Sequence, residues 1–329
     1  MSYPSNHLFI LHVDCINAFL NGLSDLELYV LQPEGFIDPK YPNKILWLNK
    51  ALYGLKQAPR IWYLLLCGVI VGLGFQVLET DTSIYVRGEI IIEVYVDDIK
   101  IIGPKQELCY EVYYELCKHF KMQDKGAVKS FLGLNITRNW EEHSISINQP
   151  GYIDKLLARF NMINAKTTST PLEPGCQLLK ATQPDKLCDP ICYQELTGSL
   201  NHLAVFSCPD ISFTVSKLAQ FNANPSMTHW KAGLRVLRYL KATRNYCITY
   251  KRSSIPTRVF GYADADYGSD PNDRISYTGY VVMCNGGPIS WNSHKQSTVA
   301  HSTMEAEYMA IGPVHTRALV EVIAEIYQF

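Results

Sequence analysis

The sequence predicts an α+β fold built on antiparallel sheet with helices, and three observations carry that prediction. Residues 88–103, G-E-I-I-I-E-V-Y-V-D-D-I-K-I-I-G, hold two runs dense in β-branched residues with an aspartate pair between them, the pattern of a β-hairpin. Helix-length segments at 61–75 and 106–120 flank that hairpin. A Thr-, Pro-, Gly- and Lys-rich stretch from Thr167 to Pro190 then precedes three helical segments and a second strand-rich region from Arg258.

Leu8 to Cys15, L-F-I-L-H-V-D-C, is an apolar run of strand length with Asp14 near its end, and I-N-A-F-L-N-G suits a turn into a short helix. A carboxylate at the tip of a buried strand is costly unless it meets water, a partner or a metal. The plain alternative is that Asp14 caps the following turn. Leu26 to Leu31 and Ile45 to Leu48 read as strands around a loop, Gln32 to Asn43, punctuated by Pro33, Gly35, Pro39 and Pro42. In A-L-Y-G-L-K-Q-A-P-R-I-W, residues 51–62, Gly54 permits close backbone approach and Pro59 fits the first turn of the apolar helix that follows. Lys56 and Arg60 put positive charge at the mouth of that helix, unless they are simply solvated.

Ser83 to Arg87 opens the strand set that holds the aspartate pair. Asp97 and Asp98 make a poor tight turn, since primed turns favour Asn-Gly or Asp-Gly. Adjacent carboxylates also repel unless a cation lies between them. The plain reading is a solvated acidic turn. Gln106 to Phe120 is an amphipathic helix, 120–136 a turn followed by a strand, Asn139 to His143 a hairpin tip, and Gln149 to Phe160 helical.

Helices resume at Ile191 to Phe206, Pro209 to Asn222 and Met227 to Thr243. In the last, Trp230, Leu234, Leu237 and Leu240 form one face and Lys231, Arg235 and Arg238 the opposite one. Such a basic stripe is either a solvated face or a track for a phosphate backbone. V-F-G-Y-A-D-A-D-Y-G, S-Y-T-G-Y-V-V-M-C and G-P-I-S-W-N-S suggest three consecutive strands, with a helix from about Thr303 to the end. Asp264 and Asp266 share a strand face. Ser302 and Glu305 form a capping box, which gives Glu305 a structural job and leaves Glu307 without one.

With 329 residues, 47% of them hydrophobic, the chain suffices for two or so domains with real cores. A formal net charge of -1 argues mildly against a free-standing nucleic-acid binder, which usually carries a basic surplus. The ten cysteines form no C-x-x-C pair and read as reduced thiols of an intracellular protein, cytoplasmic or nuclear and not secreted. The first residues are no signal peptide. Ile61 to Phe75 is shorter than the roughly 20 residues a bilayer requires, so no membrane partner is expected.

Two acidic constellations result: Asp14 with Asp97 and Asp98, and Asp264 with Glu307. Magnesium takes oxygen ligands, often one or two carboxylates plus substrate phosphates. Two such ions about 4 Å apart stabilise the attacking and leaving oxygens of an in-line displacement. The pattern therefore suggests phosphoryl transfer. At this point the motifs resemble a family. V-D-C-I-N-A-F-L-N-G, A-L-Y-G-L-K-Q-A-P-R-I-W, Y-V-D-D and F-L-G-L-N-I occur in the order seen in reverse transcriptases of copia-class LTR retrotransposons. Y-Q-E-L-T-G-S-L-N-H-L-A, C-P-D-I and H-W-K-A-G-L-R-V-L-R-Y-L-K-A-T follow, and G-Y-A-D-A-D-Y-G-S-D-P-N-D-R-I-S-Y-T-G-Y with S-T-M-E-A-E-Y-M-A is similar to that family's RNase H domain.

The resemblance covers nearly the whole chain and implies a plan: palm and thumb over 1–162, a linker over 163–190, a helical connection over 191–255 and an RNase H-like α/β domain over 256–329. It implies Asp14 and Asp97 as principal metal ligands with Asp98 supporting, two Mg2+ ions per site, and Mn2+ as a substitute. Phe19 matches the aromatic that excludes the ribose 2′-OH, where the bland alternative is core. Gly54, Lys56, Gln57 and Tyr95 would lie near the incoming nucleotide, Phe131 to Ile136 at the primer end, and Gln149 to Phe160 in the thumb. Asp264 and Glu307 match RNase H acids, and Lys231, Arg235 and Arg238 would sit on the path of an RNA–DNA hybrid. The implied partners are RNA template, DNA primer, RNA–DNA hybrid and dNTP, with integrase and capsid segments in the parent element.

Departures shape the expectation further. Only thirteen residues precede Asp14, so most of the fingers is expected to be missing, and the later RNase H ligands likewise. Cys208 stands where family members usually carry Arg. The expectation is a pol polyprotein fragment truncated at both ends, weak or inactive as a polymerase and without RNase H activity. The alternative is a non-catalytic nucleic-acid-binding remnant, with an unrelated metal-dependent phosphotransferase as a third reading.

Overall fold

The computed structural model describes residues 8–24, 26–182, 186–252 and 259–312. Contacts divide the chain into two compact units, residues 1–128 and 129–328.

The first unit runs β1 (Phe9–Cys15), a 3-10 turn (Ala18–Asn21), β2 (Tyr29–Leu31), β3 (Ile45–Trp47), α1 (Ala58–Gly72), β4 (Gln76–Val77), β5 (Ile84–Arg87), β6 (Ile90–Tyr95), β7 (Asp98–Gly103), α2 (Gln106–Cys117) and β8 (Met122–Ala127). β2 and β3 pair only with each other; the rest form one sheet in the order β4-β5-β6-β7-β1-β8. Period-2 alternation sorts that sheet into two faces. Leu11, Val13 and Cys15 of β1, Ile99 and Ile101 of β7 and Ile92 of β6 enter the core. There they meet Ala58, Trp62, Leu66 and Ile70 of α1, a ridge spaced every fourth residue, and Cys109, Val112 and Leu116 of α2. The intervening positions, His12, Asp14, Glu93, Tyr95, Asp98 and Lys100, fall on the other face.

The hairpin, both helices and the loop between β2 and β3 lie where the sequence puts them. Met122–Ala127 differs: the segment expected to be a turn is an edge strand paired antiparallel to β1. An edge strand has one neighbour and little core to fill, so M-Q-D-K-G-A needs no apolar alternation and shows none.

The second unit runs β9 (Ser130–Phe131), β10 (Leu134–Asn139), β11 (Ser144–Asn148), α3 (Pro150–Arg159), α4 (Pro190–Phe206), α5 (Ser212–Ala219), α6 (Met227–Ala242), β12 (Ile248–Lys251), β13 (Phe260–Asp266), β14 (Tyr277–Cys284) and β15 (Gly287–Lys295). One sheet has the order β12-β11-β10-β9, and the other is the expected meander β13-β14-β15. Ile153, Leu156 and Leu157 of α3 share a core with Tyr193, Leu196 and Leu200 of α4 and Val236, Leu237 and Leu240 of α6. Segment 129–162 thus packs with residues 190–251, through β11–β12 pairing and this core.

Residues 163–182 carry little regular structure but are firmly held. Lys241 Nζ donates to the carbonyls of Ile163 at 2.7 Å and Ala165 at 2.9 Å. Arg238 Nε donates to the Lys166 carbonyl at 2.5 Å, and Arg235 to Thr170 Oγ1 at 3.1 Å. Asn272 clips the same stretch, donating to the Leu178 carbonyl and accepting from Lys180 N. The helix that opens at 303 has the expected cap: Ser302 Oγ accepts from Glu305 N at 3.1 Å, and the Glu305 carboxylate accepts from His301 N at 2.6 Å. The remainder of the expected terminal helix lies outside the described residues.

Candidate active site

Asp14 closes β1 and Asp98 opens β7, and the two stand directly opposite each other in the antiparallel register. Tyr95 pairs with Asp98, so Val96 and Asp97 form the two-residue turn of the hairpin. Val96 takes φ 56, a left-handed conformation that a β-branched residue adopts only under constraint. Two hydrogen bonds supply the constraint. The indole Nε1 of buried Trp62 donates to the Val96 carbonyl at 2.7 Å, and Cys15 N donates to the Asp97 carbonyl at 2.8 Å. Helix α1 and strand β1 together fix the turn that carries Asp97. The two carboxylate segments, over eighty residues apart in sequence, meet at one edge of the polar sheet face.

Lys125 joins them. Its Nζ lies 2.7 Å from Asp14 Oδ1 and 3.1 Å from Asp98 Oδ1. His12 Nε2 sits 2.8 Å from the same Asp98 oxygen. Burial works against ionising Asp98, but hydrogen bonds from His12 and Lys125 outweigh it and lower its pKa. Burial likewise opposes the Lys125 ammonium, and hydrogen bonds to Asp14 and Asp98 prevail, raising its pKa. Burial, then the charges of Asp14 and Asp97, push the Cys15 thiol up to about 12. Further along the face, burial pulls Lys100 down to about 8, opposed by Glu93 at 3.5 Å.

The donor chemistry suits a hard divalent cation: two carboxylates already converge on one positive charge, with Asp97 in the adjoining turn. Among the described residues, no group of three or more His, Cys, Asp or Glu side chains is placed to hold an ion. The Asp14–Asp98 pair would hold it.

The other residues singled out in sequence surround this pair or lie elsewhere. Phe19 is buried in the core cluster, and its ring packs on Tyr53 at a centroid distance of 4.4 Å. Gly54 has φ 98 in a turn closed by Leu55 N on the Leu52 carbonyl, a conformation that favours glycine. Lys56 and Arg60 are exposed, and Gln57 is the N-cap of α1. Positive charge at a helix N-terminus opposes the helix dipole, an arrangement that an anionic ligand would relieve. Tyr95 is half exposed beside Asp98.

In the second unit Asp264 and Asp266 line one side of an open cavity of about 570 Å³ with Asp210 and several aromatic rings; Glu307 is not part of that lining. Arg235 and Arg238 hold the 163–170 segment, and Lys231 is exposed. Sequence reasoning passed over three residues. Tyr53 packs on Phe19, and burial first, then the charges of Asp97 and Asp14, raises its pKa. Lys125 and His12 brace the carboxylates. Only Tyr53 had a signal, an aromatic beside Gly54 in a quoted motif.

The first unit thus presents an Asp on one strand beside an Asp-Asp hairpin on the next, in an antiparallel sheet backed by two helices. The chain belongs to the reverse transcriptase (RNA-dependent DNA polymerase) family, which it matches over residues 4–174. Its relatives include retrotransposon proteins, as the copia-class resemblance implied. It is 41% identical over 92% of its length to the retrovirus-related Pol polyprotein from transposon RE1 of Arabidopsis thaliana, covering 20% of that protein. It is 37% identical over 91% of its length to the corresponding polyprotein from transposon TNT 1-94 of Nicotiana tabacum, covering 23% of it. A transposon Ty5-1 protein of Saccharomyces cerevisiae is 36% identical over 90% of the chain, and 97% of that protein is covered. The chain therefore spans about a fifth of the length of the Pol polyproteins it matches.

Proposed function

We propose that the first unit is the palm of an RNA-directed DNA polymerase that extends a DNA primer on an RNA template by nucleotidyl transfer. The observation that carries this reading is the meeting of Asp14 with Asp98 across β1 and β7, with Asp97 held in the adjoining turn. Bound divalent ions, magnesium or in its place manganese, would activate the primer 3′-OH and neutralise the departing pyrophosphate. The chain's own groups do the positioning. Trp62 and Cys15 fix the turn. Lys56 and Gln57 at the α1 N-terminus offer donors to a triphosphate. Phe19, packed on Tyr53, would stand against the sugar of the incoming nucleotide.

In the second unit, the meander with Asp264 and the capped helix with Glu307 support an RNase H-like reading, in which a hybrid's RNA strand would be cut. Segments 131–136 and 149–160 would hold the primer end and the duplex, and Lys231 would follow a hybrid backbone. The ten described thiols are all free, which supports a cytoplasmic or nuclear setting. Among the described residues no helix is long and apolar enough to cross a membrane.

Primer extension by the purified chain, with RNA template, dNTPs and magnesium, tests the reading. The expected outcome is weak extension at most, which Asp97→Asn abolishes while leaving the fold intact by circular dichroism. Extension unchanged in Asp97→Asn, or extension without divalent metal, would refute it.

A further inference from the structure

Asp14 and Asp98 face each other on neighbouring strands, and like charges directly opposite in an antiparallel pair destabilise the sheet. The chain supplies its own remedy. The pairing of β1 with β8 slips between His12 and Val13: Val13 faces Asp124 while His12 faces Gly126. Lys125 is the extra residue of that bulge, the position whose side chain a bulge re-aims. The bulge is braced on both sides. Gly126 takes φ 75, which suits glycine, and its N–H donates to Asp124 Oδ1 at 2.7 Å. Tyr110 of α2 in turn donates to Asp124 Oδ2 at 2.9 Å. The ammonium so aimed reaches one oxygen of each carboxylate.

We infer that Lys125 is a built-in counter-ion that occupies the cation position of the Asp14–Asp98 pair and competes with a divalent metal for it. The inference rests on the metal-dependent reading of this site. A divalent ion bridging the two carboxylates would lie beside the ammonium, and like charges that close repel. Lysine suits an exchangeable occupant, being a compact hydrated charge on a flexible stem. It neutralises the carboxylate pair and swings out when metal arrives with a nucleotide. The site thereby favours metal brought by a triphosphate over free metal.

Manganese titration followed by electron paramagnetic resonance tests this, using the whole chain, Lys125→Met, Lys125→Arg and Asp14→Asn. Two charge-assisted contacts on partly exposed groups correspond to about a ten-fold effect on metal affinity. Lys125→Met should bind Mn2+ about ten-fold more tightly than the unaltered chain, Lys125→Arg should not, and Asp14→Asn should bind most weakly. Urea unfolding gives an independent readout. Without metal Lys125→Met should be the less stable protein, and millimolar Mg2+ should raise its midpoint more than that of the unaltered chain. Equal or weaker Mn2+ binding by Lys125→Met overturns the proposal while leaving the metal site standing. Binding by neither protein overturns both.

Discussion

Trp62→Phe probes how the turn bearing Asp97 is held. Trp62 is 2% exposed, donates to the Val96 carbonyl at 2.7 Å and packs edge-on against Phe120 at 5.1 Å. Phenylalanine keeps a ring in the core but removes the donor and part of the ring volume. The orphaned carbonyl costs about 1 kcal/mol, the low end of the range for a lost partner, because Val96 is 39% exposed and water reaches it. The missing ring atoms add about 1 kcal/mol as a partial cavity. Stability should fall by about 2 kcal/mol by urea unfolding. The larger effect is on chemistry. Val96 stores about 1–3 kcal/mol at its positive φ, and without the indole the turn relaxes and carries Asp97 with it. A displacement near 1 Å costs about a hundred-fold in rate. Primer extension should fall accordingly, beyond what the stability loss explains. Val96→Gly removes the strain that the indole opposes, so the two substitutions should couple by more than about 0.5 kcal/mol in a double-mutant cycle. Additive costs, with extension unchanged in Trp62→Phe, would show that the indole only fills space.

Phe19→Val should admit ribonucleotides, raising their incorporation relative to dNTPs in a competition assay, at a stability cost of about 2 kcal/mol; unchanged selectivity would make Phe19 ordinary core. In the second unit, Asp270 is buried, and although burial would raise its pKa, hydrogen bonds from Lys295 and Asn272 bring it from the ordinary 3.8 to about 2. Its folded pKa lies below the unfolded one, so the contribution is complete above pH 3.8 and is lost as the pH falls through about 2. The gap corresponds to about 2 kcal/mol. Asp270→Asn should therefore destabilise the chain near neutrality and flatten the acid limb of its urea stability profile; a profile parallel to that of the unaltered chain would contradict this.

Much of the site was legible in local pattern. The hairpin of residues 88–103 announces itself through β-branched density, and α1 through its apolar length and Pro59. Asp14 could be suspected because a carboxylate at the end of a buried strand needs a reason. That Asp98 stands opposite Asp14 was not legible, since register between strands so far apart is set by packing across the sheet. Lys125 was hidden for a related reason. A polar edge strand leaves no periodic signature, and a bulge is visible only once the partner strand is known. Arg235 and Arg238 read in sequence as a basic stripe, and the hydrogen bond each gives to residue 170 or 166 could not be foreseen, because those residues lie in an irregular segment whose path no propensity specifies.

The strand β1 lies near the start of the sequence but inside the sheet, flanked by β7 and β8. It can pair on neither side until chain a hundred residues downstream has been made and folded back, a long-range closure that slows folding. During synthesis L-F-I-L-H-V-D-C therefore waits as an unpaired apolar strand, the kind of segment that chaperones shield and aggregates recruit. The carboxylate pair does not exist until β1 has paired with β7. Metal binding at this site would accordingly report that long-range pairing, and nothing earlier on the pathway.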